Sequence, residues 1–319
     1  MSAAHRSWIA HGRLALAQSL AAAADHYPQP GADGANRIHE ARRALKRAAS
    51  IARLFAPIVG SPAYGALDAV DAARRQVGRV RDLDILPGVL ASLKCPTATR
   101  DILMRAIGVE RGKARGEQAE VDFARAEAAL RAAAADVSGW DLGTADIEWL
   151  LQSLRLSYRA AKRSGRAAWA TGDADDLHDL RSRVVDLGHQ CELFEAAWPA
   201  MFSAFGAELQ KLRRSLGDHN DLTVLGEFAL ARRELPAEAA EALVALLLRR
   251  RKPLERRAAA LFARLFAERP GSFARRIAAY LEHPQQKAGS SGDSGQNQTL
   301  DVTRIRALIP PLRRAEERR

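Results

Sequence analysis

Two short runs in this chain carry the side chains that an anion site requires. His39 is followed by Arg42, and His178 by Arg181, at the same spacing. Residues three and four apart stack on one helix face, so each pair would project an imidazole and a guanidinium side by side. Arginine offers a rigid fork of donors matched to phosphate or carboxylate oxygens, and a neutral imidazole adds one donor. In the first run Arg43, Lys46, Ser50 and Arg53 continue the polar sector, beside an apolar stripe of Ile38, Ala41, Leu45, Ala48, Ala52 and Phe55. The pattern is a basic ridge next to a core-facing ridge. A solvated charged face has the same pattern, so one such helix alone does not decide between them.

A repeat shifts the balance. Leu54-Phe55, Arg74-Arg75, Gly78, Asp82-Leu83 and Leu86 recur as Leu193-Phe194, Arg213-Arg214, Gly217, Asp221-Leu222 and Leu225. With the two His-Arg pairs these make ten identities at one offset, and histidine and aspartate stand 43 residues apart in both copies (82 − 39 and 221 − 178). Self-similarity on this scale marks a duplicated supersecondary unit, with the copies packed about a pseudo-two-fold axis. Asp82 and Asp221 each follow a glycine, where a carboxylate caps a helix; it can also orient nearby guanidinium groups. Both roles support a binding surface.

The elements that must present these residues read as helices throughout, because apolar residues recur at steps of three and four and no segment alternates. Helices are expected over about 3–25, 36–55 (stopping before Pro57), from Pro62 to the 77–81 region, and 97–135, the last weakened by Gly108, Gly112 and Gly116. The turn Val137-Ser138-Gly139-Trp140-Asp141 divides the chain. Helices then resume at about 146–170, 175–197, 199–216, 221–233, 236–268 and 272–282. The Gln-, Ser- and Gly-rich stretch from Pro284 to Thr299 reads as a flexible linker, and Arg313, Arg314, Arg318 and Arg319 make a basic tail.

Composition narrows the partner. The 319 residues carry a formal net charge of +11, which points to a polyanion: nucleic acid, polyphosphate or anionic lipid. Cys95 and Cys191 have no metal-like spacing, so no disulfide framework or metal site is expected, and a reduced cytosolic setting fits. His5, Arg6, His11 and Arg13 interrupt any signal-peptide core, and the aliphatic run Leu243 to Leu248 is too short to span a bilayer. Catalysis finds little support. His39-Glu40-Ala41-Arg42-Arg43 begins like a zinc-protease helix but has Arg43 where the second histidine belongs. A metal phosphohydrolase drawn from His39, His178, Asp82 and Asp221 would set a divalent cation among arginines. No Walker loop is present, few aromatics are available to stack on bases, and no nucleic-acid-binding motif stands out.

In these residues the chain resembles the CHAD family, named for conserved histidines in an α-helical domain. The matching elements are Ile38-His39-x-x-Arg42-x-x-x-Lys46-Arg47 and Val80-Arg81-Asp82-Leu83-Asp84-Ile85-Leu86 in the first half. In the second they are Tyr158-Arg159 with Lys162-Arg163, Leu177-His178-x-x-Arg181, Glu192-Leu193-Phe194 and Leu216-Gly217-Asp218-x-Asn220-Asp221-Leu222. The resemblance runs from about Arg6 to about Tyr280. It implies a pseudo-two-fold helical domain that binds inorganic polyphosphate in a basic central cavity. Arg79, Arg81, Arg159, Lys162 and Arg163 join His39, Arg42, Arg43, Lys46, His178 and Arg181 as candidate ligands on that basis, and the repeated Arg74-Arg75 and Arg213-Arg214 are candidates with them. Members occur alone or fused to a triphosphatase-type domain whose Glu-x-Glu-x-Lys signature is absent from this sequence, so the stand-alone form is expected. The sequence departs from the family at Val185, Asp186 and Gly188, where basic residues are usual, and at Ala49. Arg183 and His189 are partial substitutes, and an asymmetric cavity is expected.

The sequence therefore predicts an all-α protein of two pseudo-two-fold-related antiparallel helical bundles over 1–285, with repeats at about 1–136 and 144–283, followed by a linker and tail at 286–319. The expected activity is non-catalytic binding of polyphosphate without a cofactor, in the cytoplasm or at polyphosphate granules. Non-specific nucleic-acid binding is the alternative. Arg249-Arg250-Arg251-Lys252 and Arg256-Arg257 read either as an outer basic patch or as a solvated helix face.

Overall fold

The α7–α8 hairpin shows how local chemistry builds the fold. Helix α7 (Ile147–Thr171) ends at Gly172, whose φ of 68° is open to glycine at little steric cost. Asp173 then caps α8 (Ala174–Glu192) by accepting the Asp175 and Asp176 amides, and those two carboxylates favour the positive end of the helix dipole. The cap fixes where α8 starts, and so the turn of helix on which His178 and Arg181 stand.

The chain is a computed structural model that describes residues 3–27, 34–119, 123–142 and 145–282. Within them are eleven α-helices, one 3-10 turn (Glu195–Ala197) and no strand. The remaining helices are α1 (Ala3–Asp25), α2 (Gly34–Val59), α3 (Ser61–Gln76), α4 (Gly78–Ala91), α5 (Thr97–Ala119), α6 (Phe123–Ser138), α9 (Pro199–Leu230), α10 (Ala237–Leu265) and α11 (Pro270–Glu282). The linker and basic tail expected at 286–319 lie outside the described residues.

The order of packing recurs along the chain. Helix α1 lies on α2 and α2 on α3; α7 lies on α8 and α8 on α9. Helix α4 pairs with α5, α9 with α10, and α11 packs on α7. One core gathers Leu16, Leu20, Leu45, Phe55, Leu154, Tyr158, Leu187 and Phe194. A second, smaller core joins Leu86 and Leu90 of α4 and Leu103 and Ile107 of α5 to Leu222 and Leu225 of α9 and Leu243 and Leu247 of α10. Helix α9 belongs to both. Helix α2 meets α8 between the halves, where Gln190 donates to the Ser50 carbonyl at 2.8 Å.

Five expectations change. Helix α2 runs past Pro57 to Val59, because a proline near a helix end forfeits only one backbone bond, and the chain turns instead at Gly60, φ 64°. Helix α4 is an additional element between the expected helices; Pro87 and Gly88 weaken its local pattern, and burial of Leu86 and Leu90 supports it. The single helix expected over 97–135 is two helices, α5 and α6. The break expected at Gly217 is absent, since Leu212, Leu216, His219, Leu222 and Leu225 keep α9 buried across it. Asp221 is thus mid-helix and Asp82 is inside α4, whose N-cap is Val77, so neither aspartate is a cap. Among the described residues no helix is long and apolar enough to cross a membrane.

Candidate functional site

Where the two cores meet, α2, α3 and α4 face α8 and α9 across a cavity of about 640 Å³. Arg42, Lys46 and Arg53 reach it from α2, Arg74 and Arg75 from α3, and Arg181 and Arg183 from α8. His178 and Asn220 complete one side, and no Phe, Tyr or Trp ring lines it among the described residues. These seven Arg and Lys side chains share the space with Asp71, Asp82, Asp179, Asp186 and Asp221. The cavity is therefore rich in cations with only a modest excess of positive charge.

Several cations already have work. Arg42 Nη1 donates to the Val77 carbonyl at 3.0 Å, which ties α2 to the α3–α4 break. Its counterpart Arg181 lies across Gly217, where an added Cβ would stand 3.4 Å from the Arg181 Nε. Arg74 approaches Asp71 at 3.4 Å, and Arg183 approaches Asp179 at 3.4 Å. Asp179 also accepts from Ser164 Oγ of α7 at 2.7 Å. Arg75 is exposed on the cavity wall. His178 Nδ1 lies 3.0 Å from Asn220 Oδ1. In the tautomer that donates to that oxygen, Nε2 becomes a donor to an anion only on protonation.

Helical geometry sends neighbouring residues of α9 to different places. Asn220 and Asp221 face the cavity, while His219 turns into the protein with Nε2 3.0 Å from Glu255 Oε1 of α10. Burial holds the His219 imidazole below its ordinary value, against the pull of Glu255. Burial and the Asp221 charge push the Asp218 carboxyl up, against Arg257, Arg214 and Arg181. Cys191 is buried, its thiol pushed up to about 12, which leaves it inert.

The remaining predicted ligands lie elsewhere. His39 is exposed on α2 and outside the cavity lining, so His39, His178, Asp82 and Asp221 do not converge. Arg43 lines a separate groove with Gln18, His26, Arg47 and His189. His189 and Arg213 line another, between α8 and α9. Arg159 and Arg163 are exposed on α7, and Arg214 is exposed on α9 with its Nε 3.4 Å from the Gln210 carbonyl. Lys162 Nζ donates to the Glu268 carbonyl at 2.6 Å, just past the end of α10, and Tyr158 Oη donates to Leu265 there at 3.1 Å. This part of the α7 motif holds helices together. The side chains of Arg79 and Arg81 lie outside the described residues. Arg53 is a chamber cation that the family motifs do not mark; the helical period places it on the basic ridge of α2, and its place on the cavity wall depends on how α2 crosses α8.

Fold and cavity together define an all-helical protein with a cation-rich chamber between two cores. The chain belongs to the CHAD domain family, whose family model matches residues 14–230, from α1 to the end of α9. The CHAD domain is associated with polyphosphate binding. A comparison with curated proteins finds no match.

Proposed function

We propose that this chain binds inorganic polyphosphate in the cavity between α2–α4 and α8–α9, without turning it over. The observation that carries this reading is the convergence of seven Arg and Lys side chains from both halves of the chain on one chamber. A flexible polymer with about one charge per phosphate needs many donors along a groove and no base-reading surface. The lining fits that need, and among the described residues it offers no Phe, Tyr or Trp ring on which a base could stack.

The two halves are read as a pseudo-two-fold pair about the α2–α8 contact. Arg47 meets Glu192 at 3.4 Å, and Arg53 meets Asp186 at 2.9 Å. Moving Arg47 and Arg53 by the repeat offset of 139 (178 − 39) lands on Asp186 and Glu192. The two ion pairs exchange under the repeat with their charges reversed, which supports a two-fold relation.

The test is direct titration at low salt. Long-chain polyphosphate should bind more tightly than duplex DNA of equal total charge. Equal affinity for the two polymers would mean a generic basic surface, and the reading would fail.

A further inference from the structure

Of the five chamber carboxylates, Asp186 of α8 is held from across the α2–α8 contact. Asp186 Oδ1 accepts from Arg53 Nη1 at 2.9 Å and from Ser50 Oγ at 2.8 Å. Its side chain is 13% exposed and that of Arg53 is 35%, so the carboxylate is the more enclosed partner, held from α2 by two donors. The related pair, Arg47 and Glu192, lies along a separate groove. Of these two cross-helix pairs, only Arg53–Asp186 lines the chamber.

We propose that Asp186 is a built-in counterion that holds Arg53 back from a bound phosphate chain and lowers the affinity of the chamber. The inference rests on the polyphosphate reading above. A phosphate oxygen that approaches Arg53 must compete with a carboxylate already in charge-assisted contact, and meets that carboxylate's own negative charge. Asp186 is largely enclosed, so salt screens this repulsion less than at an open surface. The consequence is a site that releases the polymer more readily than its cations alone would allow.

Asp186→Asn isolates the effect, because the amide oxygen still accepts from Ser50 and Arg53 while the charge is gone. The parent, Asp186→Asn, Arg53→Gln/Asp186→Asn and Glu208→Gln proteins are titrated with long-chain polyphosphate across a salt series. Glu208, on α9 and outside the chamber lining, controls for net charge. Asp186→Asn should bind about ten-fold more tightly, and its plot of log affinity against log salt should steepen by about one counterion. The double variant should return to the parent affinity and slope, and Glu208→Gln should leave both unchanged. A merely structural Asp186 would not steepen the salt slope. If the parent binds but Asp186→Asn is no tighter, or if Glu208→Gln tightens equally, this inference is wrong and the polyphosphate reading stands. If the parent does not bind polyphosphate at low salt, both fall.

Discussion

Arg42 and Arg75 both line the chamber, yet the structure gives them different duties, and comparing their variants separates binding from folding. Arg42→Gln removes one chamber cation and also the 3.0 Å bond to the Val77 carbonyl at the α3–α4 break. A hydrogen bond from a charged donor contributes about 1.5–3 kcal/mol; Arg42 is only half-buried, and solvent screening reduces this to about 1–2 kcal/mol. For a domain of this size that lowers Tm by about 2–8 °C. Arg75→Gln removes a cation from an exposed position on the same wall, and its stability should stay within about 0.5 kcal/mol of the parent. Each variant should weaken polyphosphate binding by about ten-fold, near 1.4 kcal/mol, and flatten the salt slope by about 0.7–0.9. Calorimetric unfolding and anisotropy titrations of labelled polyphosphate read the two effects. Should Arg75→Gln keep both the parent affinity and the parent slope, the α3 wall is a solvated face and the chamber assignment is wrong. An unchanged Tm in Arg42→Gln would show that the Val77 bond does not secure the break.

Two further outcomes concern the frame around the chamber. Burial holds His219 below its ordinary value of 6.5. As pH falls, the unfolded chain therefore takes up a proton before the folded protein does, so stability should decline from about pH 6.5 until the folded imidazole also protonates. His219→Gln should remove that component, and urea midpoints between pH 5 and 7.5 that match the parent's would count against it. Gly165→Ala should destabilise the protein, because a Cβ there overlaps the ring of Phe262, which packs on Trp169 and Phe266. Overpacking costs about 1–3 kcal/mol against a helix-propensity gain of about 1; a raised Tm would show that the α7–α10 crossing can open.

Much of this protein is written locally. The bounds of α1, the start of α3 at Ser61-Pro62 and the α7–α8 junction at Gly172-Asp173 follow from periodicity, proline placement and caps, each set by residues within a turn or two. The repeat and the candidate cations were legible because residue identities at one offset need no coordinates. Long-range packing decided the rest. Helix α4 and the unbroken α9 are held by Leu86, Leu90, Leu222 and Leu225 meeting in a core shared with α5 and α10, against the local signals of Pro87, Gly88 and Gly217. The crossing of α2 and α8 brought Arg53 onto the wall and set Asp186 against it, and it left His39 outside while His178 lines the chamber. The sequence alone established which side chains were available to an anion. Which of them face one another, and which are already neutralised, depends on contacts between residues more than a hundred positions apart, and those the helical period cannot report.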